Sequence, residues 1–126
     1  MDTIIVADDS KIIQNLITKA IGENINVLLA SNGKEAIEQL SRAANTTIGI
    51  LLDLNMPEYD GFTVLDYFKT NNLFKKYPVV IISGDDSKET IERAFTYQIL
   101  DLLNKPFSKD NIANVIEKMK NSKMSM

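Results

Sequence analysis

Five short, predominantly apolar runs, unbroken but for Asp101 in the last, constrain this chain more than any other feature of its sequence. They are Thr3 to Ala7, Val27 to Ala30, Ile48 to Leu52, Val79 to Ile82 and Ile99 to Leu103. A strand with one wet face alternates apolar and polar side chains, whereas a strand covered on both faces does not. Between the runs lie stretches with helical period. Ser10 reads as an N-cap before Ile12, Ile13, Leu16, Ile17, Ala20 and Ile21, with Gly22 as the stop. Asn32-Gly33 opens a second helix carrying Ala36, Ile37, Leu40 and Ala44, and the turn Pro57 to Gly61 opens a third carrying Phe62, Leu65 and Phe68. Asp86 and Glu89 stand at capping-box spacing before Ile91, Ala94 and Phe95. Ser108 caps a last helix, with Ile112, Val115, Ile116 and Met119 on one face. Strands alternating with helices in this way are joined by right-handed crossovers. The pattern predicts an α/β fold, a five-stranded parallel sheet with helices on both faces.

Composition narrows the chemistry. A chain of 126 residues with 44% hydrophobic and 25% charged residues is sized and balanced for one soluble domain. Its net charge of −3 and pI near 4.9 argue against nucleic acid or an anionic membrane as a partner. The absence of Cys removes thiol nucleophiles, disulfides and thiolate zinc sites. The absence of His removes the commonest general base and the Ser-His pair. What remains is carboxylates, hydroxyls, lysine and a bound metal. The start Met-Asp-Thr has no basic leader, and no apolar run nears the roughly 20 residues of a membrane span, so the expected location is cytoplasmic.

In a parallel sheet of this kind, sites gather at the C-terminal strand edge, around the point where strand order reverses. The first strand is followed by Asp8-Asp9, the third by Asp53, the fourth by Ser83-Gly84 and the fifth by Lys105-Pro106. Each alone reads as a cap, a turn or a surface charge. Together, three carboxylates at one edge repel one another unless a cation lies among them. An all-oxygen set suits Mg²⁺, with a lysine close by.

Asp8-Asp9, the run Asp53-Leu54-Asn55-Met56-Pro57-Glu58-Tyr59-Asp60-Gly61, Ser83-Gly84 and Lys105-Pro106-Phe107 follow one another over nearly the whole chain. In that order they resemble the receiver domain of two-component response regulators. The resemblance implies a flavodoxin-like (βα)5 receiver fold over residues 1–121 with a short tail, 122–126, the stretch after Pro106 sufficing for one helix but no output domain. It implies Asp53 as phosphoacceptor, Asp8, Asp9, Asp53 and the main-chain carbonyl of Asn55 as Mg²⁺ ligands, and Ser83 and Lys105 as partners of the phosphoryl oxygens. Gly84 would leave its N–H open to the same group, and the Lys105-Pro106 bond would be cis. The activity implied is that of a switch rather than a turnover enzyme. A phosphoryl group passes in a Mg²⁺-dependent reaction from the phosphohistidine of a sensor histidine kinase or a histidine phosphotransfer protein onto Asp53. A surface made by the fourth helix, fifth strand and fifth helix then changes for a downstream protein target. Physics supports these roles, because phosphoryl transfer has a loose transition state served mainly by positioning and positive charge.

Three other readings compete. A haloacid dehalogenase-type phosphohydrolase also places a nucleophilic Asp after a central strand, but it keeps a second Asp two residues later as general acid, where this chain has Asn55. A flavodoxin-like cofactor carrier needs a Gly- or Ser/Thr-rich loop after the first strand, where Asp8-Asp9 would repel a phosphate. A pseudo-receiver acting as a constitutive protein-protein module rests on two departures. Leu102 stands three before Lys105, where such receivers often carry an aromatic, and Gln98-Ile99 stands where a small pair is common. Tyr97, ending a helix close by, reads as packing.

Overall fold

The computed structural model describes residues 1–124. The elements run β1 (Thr3–Ala7), α1 (Lys11–Ile21), β2 (Asn26–Ala30), α2 (Gly33–Arg42), β3 (Thr47–Asp53), α3 (Gly61–Thr70), β4 (Val79–Ser83), α4 (Lys88–Ala94), β5 (Asp101–Asn104) and α5 (Lys109–Met124). The strands form one sheet in the order β2-β1-β3-β4-β5, and every neighbouring pair is parallel. The apolar runs are continuous because the central strands are buried on both sides. Ile5, Ala7, Ile50, Leu52, Val79 and Ile81 face one layer with α2 and α3, anchored by Leu40, Leu65 and Phe68. Ile4, Val6, Leu51, Val80 and Ile82 face the other with α1 and α5, anchored by Ile17, Ile112 and Met119. Each such aliphatic side chain contributes about 1.5–3 kcal/mol on burial.

Register decides what meets at the strand ends. Ala7 lies opposite Leu52, so the next residues, Asp8 and Asp53, leave the sheet side by side. Ser83 lies opposite Asn104, which sets Lys105 one step beyond. Strand order reverses between β1 and β3, the position expected to carry a site in an open parallel sheet.

Several elements differ from the sequence reading. On α1 the stripe faces inward through Ile13, Ile17, Ala20 and Ile21, while Ile12 and Leu16 are 73% and 53% exposed. Gln14 is buried instead, its amide donating to the carbonyls of Asp8 (2.7 Å) and Ala30 (3.4 Å). The α4 N-cap is Ser87, whose hydroxyl accepts from Thr90 N–H, and not Asp86. The preceding Asp85 carboxylate accepts from Ser87 N–H (2.9 Å) and Thr90 Oγ1 (2.8 Å), moving the start by one residue. Phe95, expected on the inner face of α4, is 54% exposed because the helix ends before it. β5 pairs from Asp101, and Ile99 and Leu100 lead into it as a bend. α5 continues through Met124, so the stretch read as a tail begins inside the helix, and residues 125–126 lie outside the described residues. Ala44 lies beyond α2. Gly22 stops α1 at φ +86°, where an L side chain would be strained. Among the described residues no helix is long and apolar enough to cross a membrane.

Candidate functional site

Asp8, Asp9 and Asp53 each bring a carboxylate oxygen within 4.8 Å of the others at the C-terminal edge of β1 and β3. Asp8 and Asp53 are buried and Asp9 is exposed. Lys105 reaches back from the end of β5, its Nζ lying 2.9 Å from Asp8 Oδ2 and 3.4 Å from Asp53 Oδ2. Local backbone donors fix both buried carboxylates. Ser10 N–H donates to Asp8 Oδ1 (2.8 Å), and Asn55 N–H donates to Asp53 Oδ1 (3.3 Å). The turn after Asp53 closes tightly. Gly61 N–H bonds to Leu54 C=O (3.0 Å), and a Cβ at residue 61 would sit 2.5 Å from Asp53 C=O. Only glycine allows α3 to start so close to the acceptor's own backbone.

Electrostatics mark Asp53. Burial first, and then the neighbouring Asp8 charge, push its carboxyl up from 3.8 to about 6, against the pull of Lys105. Burial acts to lower the Lys105 ammonium, but the close Asp8 contact and the charges of Asp53 and Asp8 together outweigh it and hold the ammonium above its ordinary range. Asp8 Oδ2 is buried with Lys105 Nζ as an ion-pair neighbour, yet it accepts no hydrogen bond of good geometry. A buried oxygen left with a lone pair, beside two further carboxylates, is the donor set a hard divalent cation takes. The residues present therefore fit Mg²⁺.

Ser83 is fully buried at the end of β4, and its hydroxyl is engaged by the main chain of Asp85. It accepts from Asp85 N–H (3.0 Å) and donates to Asp85 C=O (3.1 Å). Asp85 is in turn tied to the first turn of α4, and those bonds, led by Ser87 N–H, hold its carboxyl below the usual range. Asn55 meets Asp53 through its N–H. Gly84 has open space, with Lys105 Cδ 4.0 Å from where a Cβ would lie. The Lys105-Pro106 bond is cis. Leu102 packs on the α2–α3 side of the sheet with Tyr97 and Ile99. The Tyr97 hydroxyl donates to Asp66 Oδ1 on α3.

Gln14 escaped the sequence reading, as did the link that Asp85 makes to α4. Gln14 supports the main chain of Asp8, and its one signal is an amide set between Ile13 and Ile17 on an otherwise apolar stripe. Asp85 links the Ser83 loop to α4, and nothing in its local sequence separates it from Asp86.

Comparison with known proteins agrees with this geometry. Residues 4–117 match the family model described as the response regulator receiver domain. The chain is 33% identical over 112 residues to the cell cycle response regulator CtrA of Brucella abortus, covering 89% of this chain and 47% of that protein. It is 29% identical over 119 residues to the sensor histidine kinase CheAY of Helicobacter pylori, covering 93% of this chain and 15% of that one. It thus spans less than half the length of either relative. Among solved structures, the receiver domain of the Francisella response regulator 1452 superimposes with a TM-score of 0.81 at 31% identity, covering all of both chains. Domains of this kind are signalling switches of two-component systems, working with histidine kinases and downstream effectors. With nearly the whole length matched by the family model and by a solved receiver domain, the chain belongs to the response regulator receiver domain family.

Proposed function

We propose that this domain is a phosphorylation-activated switch with Asp53 as its acceptor. The observation that carries the reading is the Lys105 ammonium set against two buried carboxylates, Asp8 and Asp53, at the switch point of the sheet. An Asp53 carboxylate oxygen bonds to phosphorus as the phosphorus–nitrogen bond of a phosphohistidine breaks, the electron pair returning to the imidazole. The donor would be a sensor histidine kinase or a histidine phosphotransfer protein. Lys105 is placed to neutralise the oxygens of the transferring group, and Asn55 N–H holds the acceptor in line. Mg²⁺ on Asp8, Asp9, Asp53 and the main chain of Asn55 would supply further positive charge to the phosphoryl oxygens.

Exposed Ile12 and Leu16 stand in the first turns of α1, directly after Asp8-Asp9, and give a donor protein an apolar foothold beside the acceptor. Output begins at Ser83. To bond a phosphoryl oxygen, its hydroxyl gives up Asp85, and the loop leading into α4 is released, altering the surface of α4, β5 and α5 for a downstream protein. Incubation with acetyl phosphate and Mg²⁺, followed by intact mass, tests the reading. One added phosphoryl group, lost with Asp53→Asn and blocked by EDTA, is expected. Equal labelling of Asp53→Asn would reject the acceptor, and no labelling at all would leave a constitutive interaction module.

A further inference from the structure

At the opposite edge of the sheet from Asp53, a cavity of about 390 Å³ opens between the loop after α3 and the loop after α4. It falls in the size range of small-ligand sites. Phe74 and Tyr97 line it, their ring centroids 6.3 Å apart and tilted by 43°. Lys69 and Lys75 line it too, and neither ammonium has an ion-pair partner among the described residues. The segment 69–76 carries three lysines and no carboxylate in a chain whose net charge is −3, so the positive potential is local. The side chains of Asn72, Thr96 and Gln98 complete the wall with amides and a hydroxyl. Nothing acidic lines it. The nearest carboxylate in the network, Asp66, is engaged by the Tyr97 hydroxyl. Burial and then Asp66 raise that phenol, keeping it protonated and neutral beside any anion.

The cavity is also held in shape. Asn72 sits at φ +54°, a left-handed conformation Asn tolerates, and the chain turns there so that Leu73 N–H bonds back to Phe68 C=O (2.9 Å). Phe74 is anchored edge-on to Phe68, with centroids 5.5 Å apart. On the α4 side, the Arg93 guanidinium stacks 3.7 Å over Phe62. The half-buried Tyr97 ring backed by buried Phe74, the unpaired ammonium groups and the side-chain amides in one wall match a ligand with a planar heterocycle, hydrogen-bonding edges and a phosphate.

We propose that this cavity binds a nucleoside monophosphate, its base against Tyr97 and its phosphate met by Lys69 and Lys75. Asp53 is not among the residues that line it. Because it touches the segment that ends α4, occupancy and the state of the Ser83 loop at the other end of that helix would be linked reciprocally.

Titration of the ¹⁵N-labelled domain with AMP, adenosine and inorganic phosphate separately, followed by amide NMR, tests this. AMP is expected to give saturable shifts at Asn72, Phe74 and Thr96 to Gln98, with a Kd of about 1 mM or tighter. Adenosine and phosphate alone should each bind at least about tenfold more weakly, since each supplies one half of the recognition. The double variant Lys69→Ala, Lys75→Ala should lose about tenfold or more in AMP affinity while keeping its circular dichroism spectrum. The proposal is overturned if AMP shifts do not saturate, if adenosine or phosphate binds as tightly as AMP, or if the folded double variant is unaffected. A glutamate-rich peptide shifting these amides where AMP does not would overturn it in favour of a protein-docking surface.

Discussion

Replacing the acceptor should make the metal-free domain more stable. Asp53 titrates at about 6 in the fold and near 3.8 in the unfolded chain, because burial and Asp8 both oppose its ionisation. For a carboxyl whose folded pKa is raised, the fold loses stability as pH climbs from about 4 to 6, and the cost is fully present above that window. A separation of about 2 pH units corresponds to about 3 kcal/mol. Asp53→Asn removes this cost and leaves the Lys105–Asp8 pair at 2.9 Å in place. Lys105 loses its second carboxylate and the new amide needs partners, so the net gain should be about 1–3 kcal/mol. For a domain of this size that is a rise in Tm of roughly 3–10 °C. Thermal and urea unfolding followed by circular dichroism in EDTA, from pH 4 to 8, would measure it. The advantage should fall to a small fraction of its neutral-pH size at about pH 4, where Asp53 is protonated in the fold and about half protonated in the unfolded chain. Saturating Mg²⁺ should narrow it at neutral pH by stabilising the parent. A variant no more stable than the parent above pH 6, or an advantage of unchanged size at pH 4, would refute the electrostatic account.

Lys105→Ala should stay folded by circular dichroism, its ammonium facing the site and not the core, while phosphorylation-dependent amide shifts in α4 and β5 are reduced; unfolding would make Lys105 a structural ion-pair partner instead. Gln14→Leu should weaken Mg²⁺ binding about tenfold in a fluorescence-free readout such as NMR titration, since the Asp8 main chain loses its support; an unchanged affinity would show the amide serves packing alone. Gly61→Ala should destabilise by about 2 kcal/mol or more in urea unfolding, because its Cβ would meet Asp53 C=O at 2.5 Å. Asn55 and Asp85 stand two residues after the proposed acceptor and two after Ser83, positions that the receiver resemblance puts beside the approach of water; both are polar and short, and Asp85 is drawn toward α4 by Ser87 and Thr90. Self-dephosphorylation, followed by intact mass, should therefore be fast, and a phosphorylated half-life of many hours at neutral pH would contradict that.

The strands were legible where burial on both faces leaves an unbroken apolar run, and Thr3–Ala7 begins and ends as read. The acidic cluster was legible for a related reason: parallel strands put their ends on one edge, so Asp8, Asp9, Asp53 and Lys105 had to converge. The α1 face was not. Its apolar stripe is wide enough to sit on the sheet in two rotations, and the choice is made by Gln14 reaching the Asp8 carbonyl, a contact across the fold. The start of α4 failed similarly, because Asp85, Asp86 and Ser87 are all competent caps and tertiary geometry selects among them. At β5 the ladder begins where Val80 offers a partner, so an edge strand's limits are written in its neighbour. Which way the Ser83 hydroxyl turns is a rotamer choice that no pattern encodes.

That rotamer sets an upper bound on how far one hydroxyl can drive the domain. Ser83 Oγ spends its donor and its acceptor on the two main-chain atoms of Asp85, so any bond it makes to a phosphoryl oxygen is an exchange and not an addition. A neutral hydrogen bond is worth about 0.5–1.5 kcal/mol and one to a charged group about 1.5–3 kcal/mol, so exchanging the Asp85 carbonyl for a phosphoryl oxygen favours the new position by about 0–2.5 kcal/mol. Inverting a population from 1:99 to 99:1 takes about 5.5 kcal/mol. The hydroxyl alone therefore makes a graded dimmer. A sharp response needs Lys105 to contribute most of the remaining bias, or a partner protein that binds only the released form of α4 and completes the transition on contact.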